Sequence, residues 1–316
     1  MKRIPVWIDC DTGVDDAVAL LLAHALPELD IRGISVVCGN TSLENAYFNT
    51  QRINGLMGAN YPVYQGAEKP LLKEVKFAVT FHGINGLGDV DLPVPENAAS
   101  TDEKAWDALY ACACTHPGEL RLVATGPMTN LAIAFTKYPA LPGLLHSVSL
   151  MGGSASVGNI SPAAEFNFYT DPQAAAIVMR SGADIVMCGL DVTLQAFLTP
   201  EDLDELEASG TRVGSFTKAC LLPALKGSRM YNLTGVCMHD SCPVMYLAHP
   251  ELFEGEKAGV VVETRGTFTS GKSVTDLYSD KQFPFKNALV LLKVDRDRFA
   301  SILKERILSI EKPEAV

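Results

Sequence analysis

The eight cysteines include no C-x-x-C pair, no apolar run approaches the ~20 residues that a membrane-spanning helix needs, and positive charge is in deficit. Each absence excludes something. The cysteines, at 10, 38, 112, 114, 188, 220, 237 and 242, lie mostly in apolar strings. Without paired spacing they are neither a zinc site nor a disulfide framework, and they read as reduced, buried thiols of a cytoplasmic protein. Lys and Arg number 26 against 37 Asp and Glu, for a formal charge of -11. Such a surface disfavours phosphate backbones and anionic lipid, so neither nucleic acid nor membrane is the expected partner. The opening "MKRIPVWIDCD" meets charge after a short apolar run, unlike a secretory signal. No linker, repeat or low-complexity tract divides residues 1–316, which are read as one domain.

What is present is an alternation. Apolar, β-type runs recur at "IPVWI" (4), "IRGISVV" (31), "ELRLVAT" (119), "HSVSLM" (146) and "ADIVMCG" (183). Helical patterns separate them near 16–26, 43–57, 102–115, 128–136 and 171–180. Strands apolar throughout, alternating with amphipathic helices, predict an α/β fold with an open, mostly parallel central sheet flanked by helices. After residue 200 a smaller helical and hairpin region is expected: three helical stretches, then two strands and a turn in "AGVVVETRGTFTSGKSVTDLY", a strand at "NALVLLKV" and a helix from 295. The glycine- and proline-bearing stretch 66–100 reads as a long loop, a common carrier of function.

The segment "IDCDTGVDDAVALLLA", residues 8–23, crowds Asp9, Asp11, Asp15 and Asp16 into eight positions at the edge of an apolar run. Carboxylates repel one another and resist burial. The pattern places them at the carboxyl end of the first strand and the amino end of the first helix, the edge where open α/β sheets bind ligands. Helix capping accounts for one or two of the four. A hard cation accounts for the crowding, since Ca2+ or Mg2+ requires several clustered oxygens. An EF-hand is excluded, because the glycine at the sixth loop position and the closing glutamate are missing. Other polar residues fall at the same sheet edge: Asn40 in "VVCGN", Thr125 in "ATGPMTN", Asn159 in "SLMGGSASVGN", Glu165 and Asn167 in "AEFNFYTDP", and His239 and Asp240 in "MHDSCP". An edge rich in amides and carboxylates suits a polyhydroxyl ligand.

Taken in order, "DCDTGVDDA", "CGN", "ATGPMTN", "MGGSASVGN", "AEFNFYTDP" and "MHDSCP" resemble the inosine–uridine-preferring nucleoside hydrolases, from about residue 4 to about 295. Thr12 departs from that pattern, which usually has proline there. The resemblance implies a Rossmann-like nucleoside hydrolase fold and a Ca2+ ion held by Asp11, Asp16, Asp240 and the Thr125 carbonyl. It implies ribose hydroxyls held by Asp15, Asn40, Asn159, Glu165 and Asn167, and a homodimer or homotetramer. The expected reaction is hydrolysis of the N-glycosidic bond of ribonucleosides, with Asp11 taking a proton from water and His239 protonating the leaving base. His82, Tyr231 and His239 are the expected base-side residues. Asp9 is left to orient the loop, and Phe168 either lines the ribose or packs in the core.

Three other readings compete. A Ca2+-dependent ribose- or nucleoside-binding protein would use the same residues without turnover. A phosphatase of the haloacid dehalogenase type also uses D-x-D after a first strand, but "DCDTG" has Thr-Gly in place of its usual Gly-Thr and that family has no need of the Asp15–Asp16 pair. "GTFTSGKS", 266–273, satisfies the phosphate-loop pattern, which requires a strand before and a helix after it. The β-type "SVTDLYSD" that follows predicts a hairpin instead.

Overall fold

The computed structural model describes residues 2–99, 101–230, 233–277 and 282–311. Its strands are β1 (Ile4–Cys10), β2 (Leu29–Val36), β3 (Val63–Gln65), β4 (Arg121–Ala124), β5 (Ser147–Met151), β6 (Ile185–Cys188), β7 (Phe197–Leu198), β8 (Val236–Cys237), β9 (Phe253–Val262), β10 (Ser273–Asp276) and β11 (Ala288–Val294). Nine of them form one sheet in the order β10-β9-β11-β6-β5-β4-β1-β2-β3. All pairings from β3 across to β11 are parallel. Only β9 runs against its neighbours. The predicted fold class is therefore present. One feature differs: the late hairpin does not stand apart but extends the main sheet through β11. The separate two-stranded pairing is β7 with β8.

The strands are apolar throughout because both faces are covered. Along β1, Val6, Ile8 and Cys10 join one core cluster, while Trp7 joins the other. Alternate residues point to opposite faces, so the two clusters are the two sides of the sheet. The first helix, Val14–Ala25, is buried at every position from Val14 to Ala23. Beyond Asp15 and Asp16 in its first turn it is apolar on every face through Ala23, because it lies inside the molecule rather than on its surface. Among the described residues no helix is long and apolar enough to cross a membrane.

The sheet order determines where a site can form. β1 pairs with β2 on one side and β4 on the other. The chain builds outward through β2 and β3, then reverses through β4, β5 and β6. Beyond the carboxyl ends of β1 and β4 lies the crevice of a topological switch point, where α/β sheets bind ligands. The residues that follow those two strands are Asp11 and Thr125.

Candidate active site

Between Cys10 and Val14 the chain turns from strand into helix. Gly13 allows the turn by its lack of a side chain: a Cβ there would lie 2.3 Å from His82 Nδ1 and 2.9 Å from Asn40 Nδ2. Gly39 does the same for Asp11, whose Oδ2 a Cβ would approach to 2.1 Å. Asp16 lies in the first helical turn and accepts from the Gly13 N–H at 2.8 Å, satisfying a donor that the helix cannot. Its other contacts bring three segments together. Thr125 Oγ1 donates to Asp16 Oδ1 at 2.7 Å, and Asn40 Nδ2 donates to Asp16 Oδ2 at 3.1 Å. The Asn40 backbone N–H donates to Asp11 Oδ2 at 2.5 Å.

Asp240 enters from the far end of the sequence, immediately before the helix Ser241–Ala248. One carboxylate oxygen from each of Asp15, Asp16 and Asp240 lies within 4.8 Å of the others, and all three residues are buried. Asp11 Oδ1 and Asp15 Oδ1 are buried without a hydrogen-bond partner. Burial, then the charge of Asp16, pushes the Asp15 carboxyl up to about 7. Burial, then neighbouring carboxylates, pushes Asp11 and Asp240 well above the ordinary range. Unpaired buried oxygens and clustered like charges are costly. A divalent cation offsets both costs, and an all-oxygen donor set fits a hard one. The cluster could thus hold a metal ion. The resemblance gave Asp11 to the ion and Asp15 to the ribose; the tightest grouping contains Asp15, while the charge of Asp11 also acts on Asp240.

The remaining expected residues are placed unequally. Asn167 Nδ2 donates to the Thr125 carbonyl at 2.7 Å and to the Met151 carbonyl at 3.2 Å, so it orients the very oxygen expected to face an ion. Glu165 is buried, and backbone amides engage both of its oxygens. Asn167 N donates to Oε1 at 2.8 Å, while Gly153 N and Phe168 N donate to Oε2 at 2.9 and 3.1 Å. Burial nevertheless pushes its carboxyl up to about 7. Glu165 therefore caps the helix Phe166–Thr170 and holds the glycine-rich loop. Asn159 is exposed on that loop. Phe168 is fully buried in the core beneath Gly152 and Gly153, so of its two expected roles it takes packing. Asp9 orients the strand ends: Ser35 Oγ donates to its Oδ1, as does Asn130 Nδ2 at 2.8 Å, and Asn130 Oδ1 accepts from Ala67 N.

The histidines converge from opposite sides. His82 ends the short helix Val79–His82 in the long loop. Its Nδ1 accepts from the Val14 N–H at 3.1 Å and lies 3.9 Å from Asp15 Oδ1. Nδ1 is thus an acceptor, and burial, then the charge of His239, lowers the ring to about 3. His239 is half-buried, with Nδ1 2.8 Å from Thr193 Oγ1, and burial lowers it to about 4. Tyr231 lies outside the described residues. Sequence reasoning missed Thr193 and Ser35, which lie in none of the quoted motifs, and Asn130, which closes "ATGPMTN" without being singled out. The phosphate-loop match resolves as the predicted hairpin. Ser273 opens β10 rather than a helix, and Lys272 donates to backbone carbonyls.

With this geometry in place, the comparison that decides the family is a match of residues 6–301 to the description "Inosine-uridine preferring nucleoside hydrolase". The chain belongs to that family. It is an enzyme of the nucleoside N-ribohydrolase class. The pyrimidine-specific ribonucleoside hydrolase RihA of Citrobacter koseri is 38% identical over 310 residues, covering 96% of this chain and 98% of that protein. The non-specific ribonucleoside hydrolase RihC of Escherichia coli is 39% identical over 303 residues, with 96% and 98% covered. Among solved structures, a purine-preferring ribonucleoside hydrolase from Gardnerella vaginalis superposes with a TM-score of 0.91 at 32% identity, covering 97% of this chain and 98% of that one.

Proposed function

We propose that the protein hydrolyses ribonucleosides to ribose and free base with Ca2+ as its metal. The ion would be held by Asp11, Asp16 and Asp240 with the Thr125 carbonyl, and Asp15 would stand between ion and ribose. The observation that carries this reading is the buried Asp15–Asp16–Asp240 grouping, with unpartnered oxygens on Asp11 and Asp15, at the switch point of the sheet. When bound, such a cation supplies Lewis acidity that eases deprotonation of water. Asp11 accepts that proton through its free Oδ1. Asp15, Asn40 and Asn167 hold ribose hydroxyls, Glu165 fixes the loop that brings Asn159 to them, and the carboxylates favour the positive charge that develops on the ribosyl group as the bond to the base breaks. With Nδ1 engaged by Thr193, Nε2 is the ring nitrogen of His239 left to face the leaving base. The side chain of His82, pinned to the first helix, closes the base side.

The relatives differ in their stated base preference, being pyrimidine-specific, non-specific and purine-preferring. What they have in common is a ribonucleoside substrate. Release of ribose from inosine, adenosine, uridine and cytidine, measured with and without added Ca2+, tests the proposal. Binding of a nucleoside with no ribose released from any of the four would leave a nucleoside-binding protein.

A further inference from the structure

The glycine-rich loop that leaves β5 is gripped by two residues that neither the motif nor the proposed chemistry uses. Asp191 lies in the short helix Leu190–Thr193. Its Oδ2 accepts from Ala155 N at 2.7 Å, and its Oδ1 accepts from Ser156 N at 3.2 Å and Ser156 Oγ at 2.5 Å. From the other side Lys272 Nζ donates to the carbonyls of Ser154, Ala155 and Ser156 at 3.0, 3.3 and 3.4 Å. Ser273 Oγ adds a donated bond to the Ser154 carbonyl at 2.8 Å and accepts from Ser154 N at 2.7 Å. The Ala155 and Ser156 amides go to the carboxylate and the carbonyls of Ser154, Ala155 and Ser156 go to the ammonium, so two consecutive peptide groups are held between opposite charges. Gly271 lets the β9–β10 turn come close enough: a Cβ there would lie 2.6 Å from the Tyr169 Cα.

We propose that Lys272 and Asp191 are positioning residues for nucleoside binding, a charged clasp that holds residues 154–156 so that Asn159 stands ready at the ribose. The clasp also reaches the other end of the substrate. The helix that carries Asp191 carries Thr193, which bonds His239. The lysine of the phosphate-loop pattern thus serves a backbone of its own chain. The inference rests on the nucleoside hydrolase reading.

A loop freed from its clasp must be ordered at each binding event, and apparent affinity falls by the fraction of time that it is already in place. If that fraction drops to a tenth, KM rises about tenfold while kcat changes little. The test uses Lys272→Met, Lys272→Arg and Asp191→Asn in the full chain. Steady-state kinetics with uridine and inosine are measured beside amide exchange of peptides covering 153–160 and β1. Expected are a KM raised about tenfold in Lys272→Met with kcat within about threefold, recovery to within about threefold of wild type in Lys272→Arg, and faster exchange confined to the loop. Asp191→Asn should speed loop exchange as well. An unchanged KM, a loss carried by kcat alone, or loop exchange like that of wild type in Lys272→Met would overturn the clasp. Absence of turnover in the wild type would instead refute the hydrolase reading, and the exchange measurement would still decide whether the loop is clasped.

Discussion

Chelation offers the most direct challenge to the proposed site. Four buried aspartates, Asp11, Asp15, Asp16 and Asp240, converge with two unpartnered oxygens among them. A ligand that binds only the folded state at a hundredfold its Kd stabilises by about 2.7 kcal/mol. Unfolding entropy runs near ~2.1 cal/mol/K per residue. Over 316 residues that is about 0.7 kcal/mol/K, so saturating Ca2+ should raise the Tm of the chelated protein by about 4 K. Asp240→Asn gives the complementary arm. The amide removes one of the clustered charges and can donate to Asp15, so the chelated variant should melt at or above the chelated wild type. It should also lose most of the calcium-dependent rise, because a hard ligand is gone. Differential scanning calorimetry with EDTA, Mg2+ and Ca2+ measures both. No Tm shift with either ion at millimolar concentration would refute the metal site. A full calcium shift in Asp240→Asn would remove Asp240 from it, and a chelated variant several kelvin less stable would show that the carboxylates are not in conflict.

The ribose site predicts strong discrimination against 2'-deoxynucleosides, about 10⁴-fold in kcat/KM, because buried polar groups would be left unpaired; uridine and deoxyuridine compared at equal enzyme decide it. His239→Ala should slow inosine by ~10²–10⁴-fold but a nitrophenyl riboside little, since that leaving group departs as a stable anion. Equal losses on both substrates with calcium still bound would take the acid role from His239. Gly13→Ala should cost about 1–3 kcal/mol and depress activity, because the new methyl would overlap His82 and Asn40; a thermal melt and a uridine assay with no change in either would show that the turn has slack.

The sequence made the sheet and its acidic crest legible for the same reason. A strand covered on both faces is apolar at consecutive positions, as in "IPVWI", so the acids that follow it stand out against the run. Short pieces were not legible. β3, β7 and β8 have only two or three residues each, too few for any period to show. Partnerships set by the fold were equally hidden. Asn130 reaches Asp9 across 121 positions, and Lys272 reaches the Ser154 carbonyl across 118. Glu165 shows how a motif residue can be found while its work is missed: three backbone amides bind it, and only coordinates reveal amides that converge.

The two ends of the site are built differently, which bears on how one scaffold accommodates several bases. Of the residues proposed for metal and ribose, Asp11 and Thr125 directly follow β1 and β4, the Asn40 and Gly153 amides fix the carboxylates of Asp11 and Glu165, and Asn167 bonds the Thr125 carbonyl. His82, in contrast, sits in the long loop after β3, and that loop leans on the helix Arg212–Met230 rather than on the sheet. Glycines set that contact. A Cβ on Gly88 would lie 2.4 Å from the Cys220 carbonyl oxygen, and one on Gly227 would lie 2.7 Å from the Phe81 ring. Loop and helix therefore bear on each other at backbone distance and form one unit on the side proposed for the base. Asn49 ties the two ends together: its Nδ2 donates to the Asn85 carbonyl at 2.8 Å and to the Thr12 carbonyl at 3.2 Å. Changes within the loop and helix bear first on His82, while Asp11 and Thr125 stay at the ends of β1 and β4. A fold divided in this way would let base preference vary beside a constant ribosyl site, and the relatives do differ in their stated preference.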